Sequence, residues 1–267
     1  MQANGPVDDC EVNAHALTRV ESLPDFDRVN AAPKRNQTRE IEIDSWWQSS
    51  CRDYRTEHVP KYRSKNLICR IKGQQSAVVV IGAHYDKVQS GHGVADNWSG
   101  VVLLDELMKH FQAATPPTYT LEFAAFTAEE PGMKGSKSYL ADQSIPIIAM
   151  INLDTLGLQS MIITGESDRA LACQTAKIAS SLKIPASIQS SSKITGDWEP
   201  FVKAGIPAVG LHSVTKHTIK RIHHRRDRAG NVDLRLLEDA YQVALNLILL
   251  VSGGQLPLGQ LSDDRLP

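Results

Sequence analysis

The chain reads as an α/β protein with a mixed, largely parallel central sheet and helices on both faces. Three observations predict it. The runs at 77–81, 119–126, 147–153 and 206–211 are almost continuously apolar, as strands buried on both faces require. Segments with helical apolar spacing, at 101–111, 135–141, 170–182 and 234–251, alternate with them, which is the pattern of parallel strands joined by crossover helices. Acidic and imidazole residues then recur just past the strand ends, where sheets of this class build their sites.

In chain order, residues 1–40 form a polar N-terminal extension in which Leu17, Val20, Leu23 and Phe26 suggest one short helix, and residues 33–37 read as an exposed connection. The segment 39–51 mixes strand-like alternation with the pair Trp46-Trp47, read as packing residues. A strand at 66–72 is bounded by Gly73, and Gly73-Gln74-Gln75 suggests a hairpin turn into the strand at 77–81. Asn97 and Ser99 precede the helix at 101–111 as caps. Short strands are expected at 162–164 and 186–189. Residues 41–252 read as one domain, and 253–267 as a flexible C-terminal tail.

Composition excludes several function classes. Across 267 residues the formal net charge is -1, with 42% hydrophobic and 22% charged residues. That balance gives no electrostatic case for nucleic acid or a membrane surface. No apolar run approaches the roughly 20 residues of a membrane span. The N-terminus carries neither a basic n-region nor an apolar h-region, so the default address is cytoplasmic, or extracytoplasmic if the N-terminus is processed. Cys10, Cys51, Cys69 and Cys173 are widely spaced with no CxxC and read as free thiols, with a disulfide between two of them as the alternative that spacing does not decide.

The chemistry-bearing residues fall in a pattern. His84 and Asp86 follow one strand, Glu129-Glu130 a second and Asp154 a third. Asp96 lies between a strand and a helix, and His223 and Asp227 lie in the loop after 206–211. A lone histidine or aspartate at such a place is ordinarily structural. So many at successive strand ends would repel one another unless a cation neutralised them. Carboxylate and imidazole donors without a thiolate motif suit zinc in an open site, and their number suits two metals sharing a carboxylate.

Six segments, AHYD (83–86), ADNWSG (95–100), FTAEEPGMKGS (126–136), INLDTLG (151–157), GDWEPFVKAGIPAVG (196–210) and IHHRRD (222–227), resemble in order and separation the co-catalytic two-zinc aminopeptidases of the bacterial leucyl aminopeptidase and aminopeptidase Y type. The resemblance covers about the last three-quarters of the chain. It implies a zinc-exopeptidase-like fold and two zinc ions: Asp96 bridging both, His84 and Asp154 completing one site, and Glu130 and His223 the other. It makes Glu129 the general base, Asp86 a support for the ring of His84, and Asp227 a support for the His223 loop or a turn former. It also implies a cis peptide at Asp96-Asn97 and an aminopeptidase that hydrolyses the N-terminal bond of a peptide or small amide with a metal-activated water.

Other readings sit beside this one. His224 adjoins His223, but an Asp four residues on selects His223. His92 either borders the substrate cleft or is an exposed loop residue, and His212 and His217 read as loop or packing residues. Trp198 stands where the family often has histidine or tyrosine, which bears on the pocket near Asp197. Lys216, Lys220, Arg221, Arg225, Arg226 and Arg228 form either a solvated loop or a cationic rim for acidic substrates. Rival functions are a glutaminyl cyclase-like single-zinc acyltransferase and a non-catalytic relative serving as a binding domain.

Overall fold

In a computed structural model, described for residues 17–20, 24, 26–164, 167–190 and 194–255, eight strands form one mixed sheet flanked by helices. The strands are β1 (Tyr54–His58), β2 (Lys65–Ile71), β3 (Gln75–His84), β4 (Tyr119–Phe126), β5 (Ile147–Leu153), β6 (Met161–Thr164), β7 (Ala186–Gln189) and β8 (Ala208–His212). The helices are α1 (Asn36–Ser50), α2 (Ser99–Ala113), α3 (Lys134–Asp142), α4 (Arg169–Ser181), α5 (Trp198–Lys203) and α6 (Leu234–Ser252). The sheet order is β1-β2-β4-β3-β5-β8-β6-β7. Its centre, β4-β3-β5-β8, is parallel; β1 and β2 run antiparallel to their neighbours, and β6 runs antiparallel to β8 but parallel to β7. The expected mixed, largely parallel sheet is therefore present.

The continuous apolar runs occupy the middle of the sheet because both faces are covered. On one face Val79, Ile81, Leu121, Phe123 and Ile151 join α2 and α6 residues such as Leu103, Leu107, Val243 and Leu247 in a single buried cluster. On the other, Val78, Val80, Ala124, Phe126 and Met150 pack against Tyr139 of α3 and Trp198 and Phe201 of α5. Among the described residues no helix is long and apolar enough to cross a membrane.

Four expectations need correction. Residues 39–51 are not strand-like: they belong to α1, whose buried positions are Arg39, Ile43 and Trp47. The spacing of four is helical, but its first member is a charged residue, which hides the period. There is no β2–β3 hairpin. β4 lies between the two, pairing antiparallel with β2 and parallel with β3. β3, buried on both faces, takes a central parallel position. β2 instead matches β4 through Arg70, whose Nε donates to Glu122 at 2.7 Å. Gly73 fits this crossing because a Cβ there would lie 2.5 Å from the Tyr119 backbone. The short helix near the N-terminus is absent at Leu17–Val20 and at Phe26, while Leu23 lies outside the described residues. Residues 256–267 of the expected tail also lie outside them.

The fourth correction concerns the cysteines. Cys51 follows α1 and Cys69 lies on β2; their Cα atoms are 5.9 Å apart and they form a disulfide. Cys173 is also disulfide-bonded. Spacing of 18 residues carried no sign of this, because the pairing depends on α1 packing over β2.

Two buried acids away from the strand ends are satisfied structurally. Glu122 meets Arg55 at 3.0 Å, Arg70 at 2.7 Å and the Tyr139 hydroxyl at 2.6 Å. Burial disfavours its charge, but these partners outweigh burial and hold its pKa below the usual carboxylate range. Asp105 accepts from the Trp47 indole N–H at 3.0 Å and pairs with Arg28 at 2.6 Å.

Replacing both cysteines, in Cys51→Ser/Cys69→Ser, should lower the unfolding free energy by about 2–4 kcal/mol through release of the denatured chain. Denaturant titration of both proteins checks this, and an unchanged midpoint would contradict it.

Candidate metal centre and active site

The register of the central strands sets the site. His84, the last residue of β3, lies level with Phe126 at the end of β4, and Gly82 lies level with Asn152 on β5. Continuing two residues along β5 brings Asp154 beside His84, and the turn after β4 presents Glu129 and Glu130 at the same edge. His84 Nε2 lies 3.2 Å from Asp96 Oδ1 and 3.3 Å from Asp154 Oδ1. On the other side of Asp96, His223 Nε2 lies 2.9 Å from its Oδ2 and 3.1 Å from Glu130 Oε2. Two triplets, His84-Asp96-Asp154 and Asp96-Glu130-His223, thus share Asp96, with the donor atoms of each within 4.8 Å of one another.

These separations can be tested against a metal. Donors at 2.0–2.1 Å around a tetrahedral zinc are about 3.3 Å apart along each edge. The 2.9–3.3 Å contacts are of that size. The donor set also has the chemistry of a divalent-cation site, and each triplet leaves a position open.

Electrostatics point the same way. Burial disfavours a charged Asp96, but hydrogen bonds from His223 and His84 outweigh burial and hold its carboxyl well below the usual range. Hydrogen bonds to Asp96 and Glu130 raise His223 to about 10. Burial, with Asp197, Asp154 and Asp96 nearby, pushes the Glu129 carboxyl up to about 9 although the charge of His84 opposes it. The pocket therefore attracts positive charge at the triplets and resists further negative charge at Glu129.

Backbone geometry holds the shared carboxylate in place. The Asp96-Asn97 peptide is cis. The buried Asn97 amide donates to Leu153 O at 2.8 Å and accepts from Gly100 N and Thr155 N, each at 3.1 Å. This ties the Asp96 turn to the end of β5. Asp227 accepts from Ala95 N at 2.7 Å and Asp96 N at 3.3 Å, so it links the His223 loop to the same turn. His223 itself has a left-handed backbone, φ 58°.

Asp86 lies differently from a simple ring support. His84 Nδ1 meets the backbone carbonyl of Asp86 at 3.0 Å, with its carboxylate farther away at 3.6 Å. The Asp86 carboxylate instead accepts from Glu129 N at 3.0 Å and Glu130 N at 3.2 Å, fixing the turn that carries both glutamates.

A cavity of about 230 Å³ opens over the triplets, lined by Glu129, Glu130 and the other donors and by Met133, Ile194, Trp198, Val214, Ile219 and Ile222. Trp198 is therefore at the cavity and almost wholly buried. Asp197 is buried behind it and accepts a short hydrogen bond from the Ser136 hydroxyl; burial pushes its carboxyl up to about 7. His92 is exposed and outside this lining. His217 and His224 are also exposed. His212 is buried and lines the cavity, so the loop-or-packing reading missed its position.

Sequence reasoning also missed Arg39. Its guanidinium, buried beneath the loop from β3 to Asp96, donates to the backbone oxygens of Tyr85 at 3.1 Å and Gly93 at 2.8 Å and also to that of His92. Its Nε donates to Pro33 O at 2.9 Å, and the cation lies over the Trp98 ring at 5.3 Å. Burial lowers its pKa to about 10, opposed by nearby acids. Nothing in residues 36–50 marks this arginine as an interior clamp until α1 is seen to pack on the loop.

Comparison with known proteins agrees with this architecture. Residues 66–248, more than half the chain, match the model of Peptidase family M28. Leupeptin-inactivating enzyme 1 of Streptomyces exfoliatus is 33% identical over 152 residues, 55% of this chain and 35% of that protein. The vacuolar membrane protease of Clavispora lusitaniae is 26% identical over 258 residues, 93% of this chain and 24% of that protein. The chain thus spans only about a quarter to a third of the length of these curated relatives. Among solved structures, the Legionella pneumophila LapA aminopeptidase superposes with TM-score 0.75 at 20% identity, covering 89% of this chain and 78% of that one. An Acidobacteriales bacterium glutaminyl cyclase superposes with TM-score 0.72 at 18% identity, covering 90% and 99%. Both likenesses are of fold. The family match, which spans β3 to β8 and every donor of the two triplets, places this chain in Peptidase family M28.

Proposed function

We propose that the chain is a zinc-dependent aminopeptidase that hydrolyses the N-terminal peptide bond of peptides with an apolar first residue. The observation that carries this reading is the pair of cation-sized triplets sharing Asp96 in the lining of a small cavity. His84 and Asp154 would hold one ion, Glu130 and His223 the other, and Asp96 both. Bound there, zinc supplies a Lewis acid for the scissile carbonyl and a lowered pKa for the attacking water.

The protein's own groups do the rest. Glu129 takes a proton from the attacking water and delivers it to the leaving nitrogen as the C–N bond breaks. Burial raises its carboxyl, and cations held by the two triplets would offset that shift and keep it ionised to accept the proton. Met133, Ile194, Trp198, Val214, Ile219 and Ile222 give the cavity an apolar wall. A volume of about 230 Å³ falls below that of common ligand pockets. It accommodates about one residue, which favours removal of a terminal residue over cleavage within a long chain. The Cys51–Cys69 disulfide favours an oxidising compartment as the working environment, against the cytoplasmic default.

Glutaminyl cyclisation is the competing reading, favoured by the near-complete overlap with a cyclase fold. The two separate by experiment. The purified protein should bind two zinc ions, release the first residue from leucyl anilides and lose that activity in chelator. Glu129→Gln should keep both ions and lose about 10²–10⁴-fold in kcat. Formation of pyroglutamate from an N-terminal Gln peptide with a single ion bound would replace this reading with the cyclase.

On either side of His223, residues 216–228 carry Lys216, Lys220, Arg221, Arg225, Arg226 and Arg228, all exposed, while their one acid, Asp227, is buried. In a chain of net charge -1 this concentrates positive potential in the loop that brings Ile219, Ile222 and His223 to the cavity. Neutralising two of these, in Arg225→Gln/Arg226→Gln, should raise KM selectively for acidic peptides, by about 3–10-fold at low salt. An equal change for neutral peptides would show the loop to be merely solvated.

A further inference from the structure

His212, the last residue of β8, is 2% exposed and lines the cavity beside His84, Asp154 and Glu129. Its Nδ1 accepts the backbone N–H of Val214 at 3.0 Å. A ring nitrogen that accepts an N–H has a free lone pair and carries no proton, so in the neutral ring the proton resides on Nε2. Burial lowers the ring's pKa to about 4, although Asp154 opposes the shift, so the imidazole is neutral at pH 7. No hydrogen bond among the described residues engages Nε2.

This combination excludes the common roles. Nδ1 is committed to the Val214 amide, and Nε2 carries the proton and offers no lone pair to a metal. A ring that stays neutral is also a poor general acid. What remains is a fixed N–H donor on the cavity wall, held by a strand that pairs with β5 and β6 and by a backbone hydrogen bond two residues on.

We propose that His212 donates its Nε2–H to the scissile carbonyl oxygen as that oxygen becomes an oxyanion. Water oxygen adds to the carbonyl carbon, and the π pair of the C=O bond moves onto oxygen. His212 strengthens its hydrogen bond to that oxygen without giving up its proton. Glu129 carries the water's proton to the leaving nitrogen, and the oxyanion pair re-forms C=O as C–N breaks. A preset donor aimed at charge that exists only in the transition state acts on kcat more than on KM. The inference rests on the peptidase reading but concerns a donor that reading does not use.

The amide of glutamine can reproduce an Nε2–H donor, whereas asparagine reproduces the Nδ1 position and phenylalanine neither. His212→Asn and His212→Phe should lower kcat by about 10²-fold with little change in KM, and His212→Gln should restore most of it. Calorimetry on the zinc-loaded protein should show a tetrahedral leucine phosphonate losing a similar factor of affinity in the Asn and Phe variants, with an uncleavable N-methyl amide unaffected. Nitrogen NMR of the wild-type ring should report protonated Nε2 at pH 7. A protonated Nδ1, or phosphonate affinity equal in wild type and the Asn and Phe variants, overturns the proposal. If the wild type hydrolyses no N-terminal amide, the peptidase reading fails, and the phosphonate series still decides whether His212 is the donor.

Discussion

Asp96, Glu130 and Asp154 stand with two imidazoles within a few ångströms at one sheet edge, and the surrounding structure is arranged to hold that crowding. Like charges so close in a buried site repel, and the contacts around them relieve this with donors rather than with distance. Asn97 and Asp227 both tie down the Asp96 turn, one to the end of β5 and the other to the His223 loop. Asp86 holds the glutamate turn, and Arg39 holds the loop above it. None of these four groups belongs to a triplet. Each uses a charged or amide side chain to satisfy backbone N–H or C=O groups that would otherwise be left unpaired in the interior. The resulting frame fixes donor positions before any cation arrives, which is the condition for a tight site.

The parts of this frame differ in how far they could be read from the chain. The donors were legible because a parallel sheet aligns its strand ends, so His84, Glu130 and Asp154 announce themselves as polar residues closing apolar runs. The helix α1 was not, because its buried stripe begins with Arg39, a residue that composition places on the surface. The order of β2, β3 and β4 was not legible either. A glycine between two strands suggests a hairpin, whereas β2 pairs with β4, where Arg70 meets Glu122, and leaves β3 a central parallel place. Asp86 shows a finer limit. Its position beside His84 follows from sequence, but whether backbone or carboxylate meets the ring depends on a turn 43 residues away.

Acidity alone does not mark function in this fold. Glu122 and Asp105 are as buried as Asp96, yet each is paired with arginine and a ring donor at the sheet margin or under α1. What separates the two classes is the partner. Structural carboxylates face fixed cations of the protein, whereas those at the sheet edge face one another and imidazoles. The same contrast distinguishes His212 from His84 and His223: all three line the cavity, but His212 spends its lone pair on a backbone N–H and keeps only a donor. Position supplies the site, and the hydrogen-bond partner assigns the role.

The central claim is that Asp96 is a carboxylate shared by two ions. An anomalous-difference map at the zinc edge, from crystals of the zinc-loaded protein, tests this directly. The account predicts two peaks about 3.5–4 Å apart, one on each side of the Asp96 carboxylate. A single peak, or two peaks of which one lies outside the reach of Asp96, would contradict it.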